Sequence, residues 1–454
     1  MLVFRLNKKI YLWDHCKKEI VRLNEIDYQD FDTFFKLNIE NGCYTLQKSV
    51  SNELKVRIEK MNKYSAINNF DYTFKKANTS KPYAISIVVT NECNLRCSYC
   101  CYSESFNYTH DYIGSNDEFN YERFLNFVSQ NYQNNDRVTI GFYGGEPLLR
   151  FDAIMKLVYE LNKLESDFTY TMTTNGVLLE DTEINFCIEN KFMLVVSIDG
   201  PKEIHDKKRK TINGHGTWNK VMKNFKRIKS INTEYFNNNV SINSVVDTTE
   251  EWLKVKHWLQ KNSYAGSINF NSKPHQEEIQ YNPWESKEVD MDKLIENVDS
   301  FIELLEAKSY DNIESDSIKM LKLIHARSEK APGMALCDPG KSKFLMDTNG
   351  DLYSCDKLDF AYKLGHINSG IDPLKSSALK SDFKAIVDSN CVKCWAYSLC
   401  TPCYAHFATP DKLELNSNYC LNKKHNLLLM LKVYTRLIEK HSLDSVSELI
   451  MSYP

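Results

Sequence analysis

Between residues 83 and 306 the chain alternates between two rhythms. Short apolar or alternating runs at 83–90, 137–143, 168–173, 193–198, 240–246 and 267–271 have the length and period of strands. Between them, segments at 121–131, 151–164, 181–190, 218–231, 250–262 and 291–306 repeat apolar residues three and four apart, which predicts helices. Six strand–helix units in succession predict an α/β fold with a parallel sheet under outer helices. Six units also fit a partial (β/α)6 TIM barrel, a fold whose chemistry sits at the C-terminal ends of the strands.

Outside this stretch the pattern changes. Residues 3–6 and 10–13 read as two strands around Asn7-Lys8-Lys9, with a third at 19–23. Residues 27–37 read as a helix with Phe31, Phe34 and Phe35 on one face, 54–61 as another helix, and 65–81 as a linker. After residue 330 short strands and turns alternate with cysteines, and 422–439 forms a closing amphipathic helix presenting Leu427, Leu428, Leu431, Tyr434 and Leu437. At 454 residues the chain exceeds one ordinary core. The expected division is a small separate module at 1–75, a barrel at 82–310, a cysteine-rich domain at 330–425 and a terminal helix at 426–454.

Composition narrows the function classes. Hydrophobic residues at 42% and charged residues at 26% are ordinary for a globular protein, and a formal net charge of -3 gives no case for a nucleic-acid or lipid partner. The basic cluster Lys207-Lys208-Arg209-Lys210 reads as solvated loop charge. The N-terminus alternates and lacks an apolar signal core, and no run approaches the ~18–20 apolar residues of a membrane span, so no membrane contact and a cytoplasmic location are expected.

In a reducing compartment fourteen cysteines do not read as a disulfide framework, and their clustering argues for metal. Cys93, Cys97 and Cys100 follow the first barrel strand, with Cys101 adjacent and read as a packing residue. Three thiolates on one loop can hold three irons of a four-iron cluster and leave the fourth open to a chelating molecule. Zinc held by thiolates is the competing reading. Cys337, Cys355, Cys391, Cys394, Cys400, Cys403 and Cys420 crowd the last quarter, where two CxxC pairs taken alone would also suit a zinc ribbon. Cys16, Cys43 and Cys187 stand apart and read as buried thiols.

The spacing of Cys93, Cys97 and Cys100 resembles the CxxxCxxC signature of the radical S-adenosylmethionine (SAM) superfamily. The resemblance implies a SAM-binding [4Fe-4S] cluster, reductive cleavage of the sulfonium and a 5′-deoxyadenosyl radical that abstracts hydrogen. Tyr143-Gly144-Gly145-Glu146-Pro147 is similar to the family's GGEP segment, which implies that the SAM amine binds near Gly144, Gly145 and Glu146. Thr174-Asn175-Gly176 is similar to its TNG segment, and with Ser197 and Asp199 it would border the SAM ribose and carboxylate. Ser197 and Asp199 also suit turn and cap roles.

The late cysteines resemble the SPASM extension of radical SAM enzymes that act on peptides. That implies auxiliary [4Fe-4S] cluster I on Cys337, Cys355 and Cys403, and auxiliary cluster II on Cys391, Cys394, Cys400 and Cys420, three clusters in all. Two residues, Thr401 and Pro402, stand where the family usually has three, and residues 338–343 hold no extra cysteine. The N-terminal segment is similar to winged-helix-like α+β modules that bind a leader peptide by strand addition. The expected enzyme is a peptide maturase that installs a thioether or carbon–carbon crosslink in a ribosomally made precursor, with flavodoxin or ferredoxin as electron donor. The alternative is an anaerobic sulfatase-maturating enzyme forming formylglycine; the 197–205 run resembles that group, and Asp356 matches the position of its proposed general base. A third reading is a zinc-stabilised peptide-binding protein without chemistry.

Overall fold

A computed structural model describes residues 2–6, 9–14, 19–23, 84–100, 121–132, 137–164, 166–270, 291–307, 315–326, 337–341, 343–355, 358, 362–391, 394–400, 402–409 and 411–452. The helices expected at 27–37 and 54–61, the linker at 65–81, and Cys16, Cys43, Cys101 and Asp356 lie outside these residues.

Strands β1 (Leu2–Leu6), β2 (Lys9–Asp14) and β3 (Glu19–Leu23) form an antiparallel sheet in that order. The central region runs β4 (Ala84–Thr90), α1 (Tyr121–Asn131), β5 (Arg137–Gly144), α2 (Phe151–Leu161), β6 (Asp167–Thr174), α3 (Asp181–Glu189) and β7 (Met193–Ser197). It continues with α4 (Lys202–Lys208), α5 (Trp218–Ile231), α6 (Thr233–Asn239), β8 (Val240–Val246), α7 (Thr249–Lys261), β9 (Gly266–Phe270), α8 (Met291–Glu306) and α9 (Ser315–His325). Then come β10 (Lys343–Met346), β11 (Asp351–Tyr353), β12 (Lys363–His366), β13 (Gly370–Ile371), α10 (Pro373–Asn390), α11 (Tyr404–Phe407), α12 (Ser417–Lys440) and α13 (Leu443–Met451).

Strands β4 to β9 lie side by side in chain order and all run parallel. Side chains alternate across a strand. Ile85, Ile87, Ile140, Phe142, Tyr170, Met172, Leu194, Val196 and Ile242 point to one face and form the main core with the helices. The opposite face carries half-buried small and polar residues, among them Ser86, Thr171, Thr173, Ser197 and Asn243. The register pairs Thr90 with Gly144, Thr174 with Val196 and Ser197 with Asn243, so the segments leaving these strands emerge at one rim.

Three departures from the sequence reading have physical causes. The cysteine-rich region does not stand apart from the parallel sheet: β10 pairs in parallel with β4, and β11 to β13 extend the same ten-stranded sheet. This covers an edge that would otherwise expose unpaired backbone. The N-terminal sheet is not separate either, because Phe4, Leu6, Tyr11 and Trp13 share a core with Ile302, Leu321, Leu431 and Val446. Finally, α12 begins at Ser417, capped by Asn416, whose side chain accepts from the Tyr419 N–H at 2.9 Å. Cys420 therefore sits on this helix rather than before it.

Candidate active site

The loop after β4 carries Cys93, Cys97 and Cys100 and is held on both flanks by backbone. On one side Gly145 N donates to Thr90 O and Glu146 N to Glu92 O, each at 2.8 Å. On the other side Arg96 N donates to Lys210 O at 2.7 Å and Ser98 N to Lys208 O at 3.1 Å. A Cβ on Gly145 would stand 2.1 Å from the Glu92 carbonyl oxygen, and Gly144 has φ +130, so both positions require glycine. What these glycines admit closely is the cysteine loop itself. Leu95, 1% exposed, anchors the loop while Cys93 and Cys100 remain half-buried.

Glu146 is fully buried, and its carboxylate accepts from Leu148 N at 3.1 Å, Thr174 Oγ1 at 2.7 Å and Asn175 N at 2.7 Å. Burial pushes its carboxyl up, against the pull of these donors. The side chain thus ties the β5 turn to the β6 turn. Asn175 passes the constraint on: its Nδ2 donates to Asn94 Oδ1 at 2.7 Å and lies 3.8 Å from Cys93 Sγ.

A second network faces Cys97. Tyr99 Oη donates to Asp199, 2.8 Å from Oδ2, and Asp199 Oδ1 accepts from Val245 N at 2.9 Å. Arg209 Nη1 donates to Tyr99 Oη, and its buried Nε has no hydrogen-bond partner among the described residues. Burial pushes the Cys97 thiol up and the Arg209 guanidinium pulls it down; burial raises Cys93 to about 12. His205 links the pieces: its Nδ1 accepts from Asp199 N at 3.3 Å, its Nε2 lies 3.0 Å from Thr217 Oγ1, and Thr217 donates to Arg209 O at 3.1 Å. With Thr217's proton committed, His205 Nε2 is the donor. Ser197 ends β7, half-buried and paired with Asn243.

Within the basic cluster Lys207 and Lys210 are exposed, as solvated charge would be, but Lys208 and Arg209 are not. Lys208 is 2% exposed and donates to Val245 O at 2.8 Å and Glu251 Oε2 at 2.9 Å, while Arg209 is 7% exposed beside the cysteine loop. Sequence reasoning also missed Tyr99, His205 and Thr217. Tyr99 carried a signal, since it lies inside the CxxC spacing and its side chain must face whatever surrounds the thiols.

Four late cysteines come together. Cys391, Cys394, Cys400 and Cys420 line one cavity of about 380 Å3, with Cys391 at the C-terminal end of α10 and Cys420 in the first turn of α12. Burial raises Cys391 to about 12 and Cys400 to about 11. Cys403 caps α11, and Cys337 and Cys403 lie within electrostatic reach of Tyr404. Cys355 packs on the core that contains Tyr404 and Phe407. Among the described residues no three His, Cys, Asp or Glu side chains gather tightly enough for one metal ion. A polynuclear cluster, whose thiolates each bind a different iron, does not require that. Soft thiol donors around the rim loop and the cavity are the donor set that iron–sulfur groups take.

Residues 87–259 match the model of the Radical SAM superfamily, and the chain carries a radical SAM domain. Over 334 residues it is 28% identical to the cysteine-type anaerobic sulfatase-maturating enzyme of Clostridium novyi, covering 68% of this chain and 84% of that protein. A serine-type anaerobic sulfatase-maturating enzyme of Bacteroides thetaiotaomicron is 33% identical over 171 residues, covering 35% and 41%. The solved structure of native anSMEcpe with bound AdoMet and Cp18Cys peptide is similar with a TM-score of 0.57 at 22% identity, covering 80% of this chain and 99% of that one. The chain is thus related to sulfatase maturases and carries a radical SAM domain, and that domain's family implies a [4Fe-4S] cluster and SAM. Among the described residues no helix is long and apolar enough to cross a membrane.

Proposed function

We propose that this chain is a radical SAM peptide maturase that modifies a ribosomally made precursor, forming a thioether or carbon–carbon crosslink. The observation that carries the reading is the rim loop: three thiols on one backbone-clamped turn beside a buried guanidinium whose Nε has no hydrogen-bond partner among the described residues. Cys93, Cys97 and Cys100 would hold a [4Fe-4S] cluster with one open iron, and SAM bound there supplies a 5′-deoxyadenosyl radical for hydrogen abstraction. The Arg209 guanidinium beside Cys97 supplies positive charge that favours an anionic group such as the SAM carboxylate. Gly144, Gly145 and Ser197 border the same rim, whereas Glu146, Asn175 and Asp199 orient the loop through their own hydrogen bonds. Cys391, Cys394, Cys400 and Cys420 would hold one auxiliary cluster, and Cys337, Cys355 and Cys403 another. The N-terminal sheet, shared with the C-terminal helices, would receive the leader, and flavodoxin or ferredoxin would deliver the electron. We place the enzyme in the cytoplasm.

A second reading, formylglycine formation, is favoured by 28% identity over 334 residues to a cysteine-type sulfatase maturase, with Asp356 as the base. One experiment separates the two. The anaerobically reconstituted enzyme, which should hold about twelve irons, is given SAM, a reductant and either a precursor peptide encoded beside it or a sulfatase peptide with the target cysteine. Mass spectrometry should find loss of two hydrogens from the precursor. Formylglycine on the sulfatase peptide would replace the first reading with the second, and failure to cleave SAM at all would sink both.

A further inference from the structure

The first two turns of α12 present an unusual surface to the four-cysteine cavity. Beside Cys420 they contribute Tyr419, Lys423 and Lys424 to its lining, and among the described residues no carboxylate lines it. The Tyr419 ring stacks on His406 with centroids 4.1 Å apart and planes 15° from parallel, which fixes it at the wall of the cavity that Cys400 also lines. Both lysines are half-buried. Both line the same cavity as Cys391, Cys394, Cys400 and Cys420. The N-terminal end of a helix adds partial positive charge of the same sign. Thus phenol, two ammonium groups and helix end converge on one cavity from a single element.

Four thiolates outweigh the charge of an iron–sulfide core, so a cluster held here is an anion, and each electron it takes up makes it more so. Positive charge and hydrogen bonds to sulfur favour the more negative state. The half-buried setting screens them less than bulk water would.

We propose that Lys423, Lys424 and Tyr419 set the reduction potential of the four-cysteine site, raising it so that the reduced cluster is favoured. This rests on the reading of that cavity as an auxiliary cluster. They are positioning residues: they line the cavity beside the four cysteines and act through the cluster's surroundings.

The test is a potentiometric titration followed by electron paramagnetic resonance. It uses a full-length chain carrying Cys97→Ala and Cys355→Ala, so that the four-cysteine set is the complete one. Lys423→Gln and Lys424→Gln should each shift the oxidised-to-reduced ratio about tenfold toward oxidised, about 59 mV for one electron. The double variant should move it further and Tyr419→Phe less, and Lys→Arg at both positions should restore the original potential. Iron and sulfide are assayed in every sample. A full cluster whose potential is unchanged in the double Gln variant overturns the proposal; no iron or sulfide in the parent chain overturns the cluster reading beneath it.

Discussion

The two cysteine sites are built on opposite plans. At the rim, Cys93, Cys97 and Cys100 share one loop, and its shape comes from backbone hydrogen bonds and buried polar side chains on the segments that follow β5, β6, β7 and α4. In the C-terminal cavity, Cys391, Cys394, Cys400 and Cys420 come from a helix end, a turn and a second helix, and apolar packing by Phe383, Tyr404 and Phe407 holds the neighbourhood together. Among the described residues the rim offers three thiols and a guanidinium Nε without a hydrogen-bond partner; the cavity offers four thiols and two lysines. A set short by one thiol with a spare hydrogen-bond donor is arranged to admit a ligand. A set of four thiols has the donor count that a closed four-iron cluster takes.

The largest expected effect breaks that contrast directly. Cys97→Ala should remove SAM cleavage to the limit of detection while circular dichroism stays native, since the loop is held by its backbone. Cys394→Ala should retain SAM cleavage but lose peptide product. 5′-Deoxyadenosine and product are measured in the same anaerobic reactions. Near-normal cleavage in the first variant, or unimpaired product in the second, would erase the division of labour between the sites.

Next in size is Glu146→Gln. The carboxylate accepts three hydrogen bonds on two oxygens, and an amide turns one of those oxygens into a donor facing an N–H. The expected cost is about 3 kcal/mol, as for a buried donor left unpaired at a charged partner. It is read as a lowered thermal midpoint together with weaker SAM binding, because Asn175 would lose its tie to the β5 turn. A variant with wild-type midpoint and binding would mean that the rim is held without this carboxylate.

The strands from β4 to β9 were legible because each is an apolar run bounded by turns, and a consecutive parallel order follows from the intervening helices. The cysteine spacings were legible for the same local reason. What stayed hidden was set by distant partners. Lys208 and Arg209 look like surface charge until Glu251, Val245 and Tyr99 are brought against them. The four residues of β10 carry no sign that their partner is β4, more than two hundred positions earlier. The roles of Glu146 and Asp199 were half visible: the motifs marked the positions, but their carboxylates turn toward backbone N–H groups and side chains of the scaffold.

The smallest effect sharpens the comparison by asking how firmly the rim is fixed. His205 is fully buried, and burial lowers its pKa to about 3, with Arg209 acting in the same direction. The ordinary value is near 6.5. Between those values the unfolded chain binds a proton that the folded chain refuses, so stability falls as pH falls. The loss begins near pH 6.5 and reaches about 2 kcal/mol by pH 5. His205→Gln keeps a donor toward Thr217 and abandons the Asp199 N–H, so it should be less stable at pH 7 yet flatter across this range. Carboxylates contribute equally to both proteins, and the informative quantity is the difference between their midpoints at each pH. If that difference does not narrow on acidification, His205 is not the neutral strut that locks the Asp199 turn to the Arg209 segment. The rim would then owe its rigidity to the backbone clamps alone.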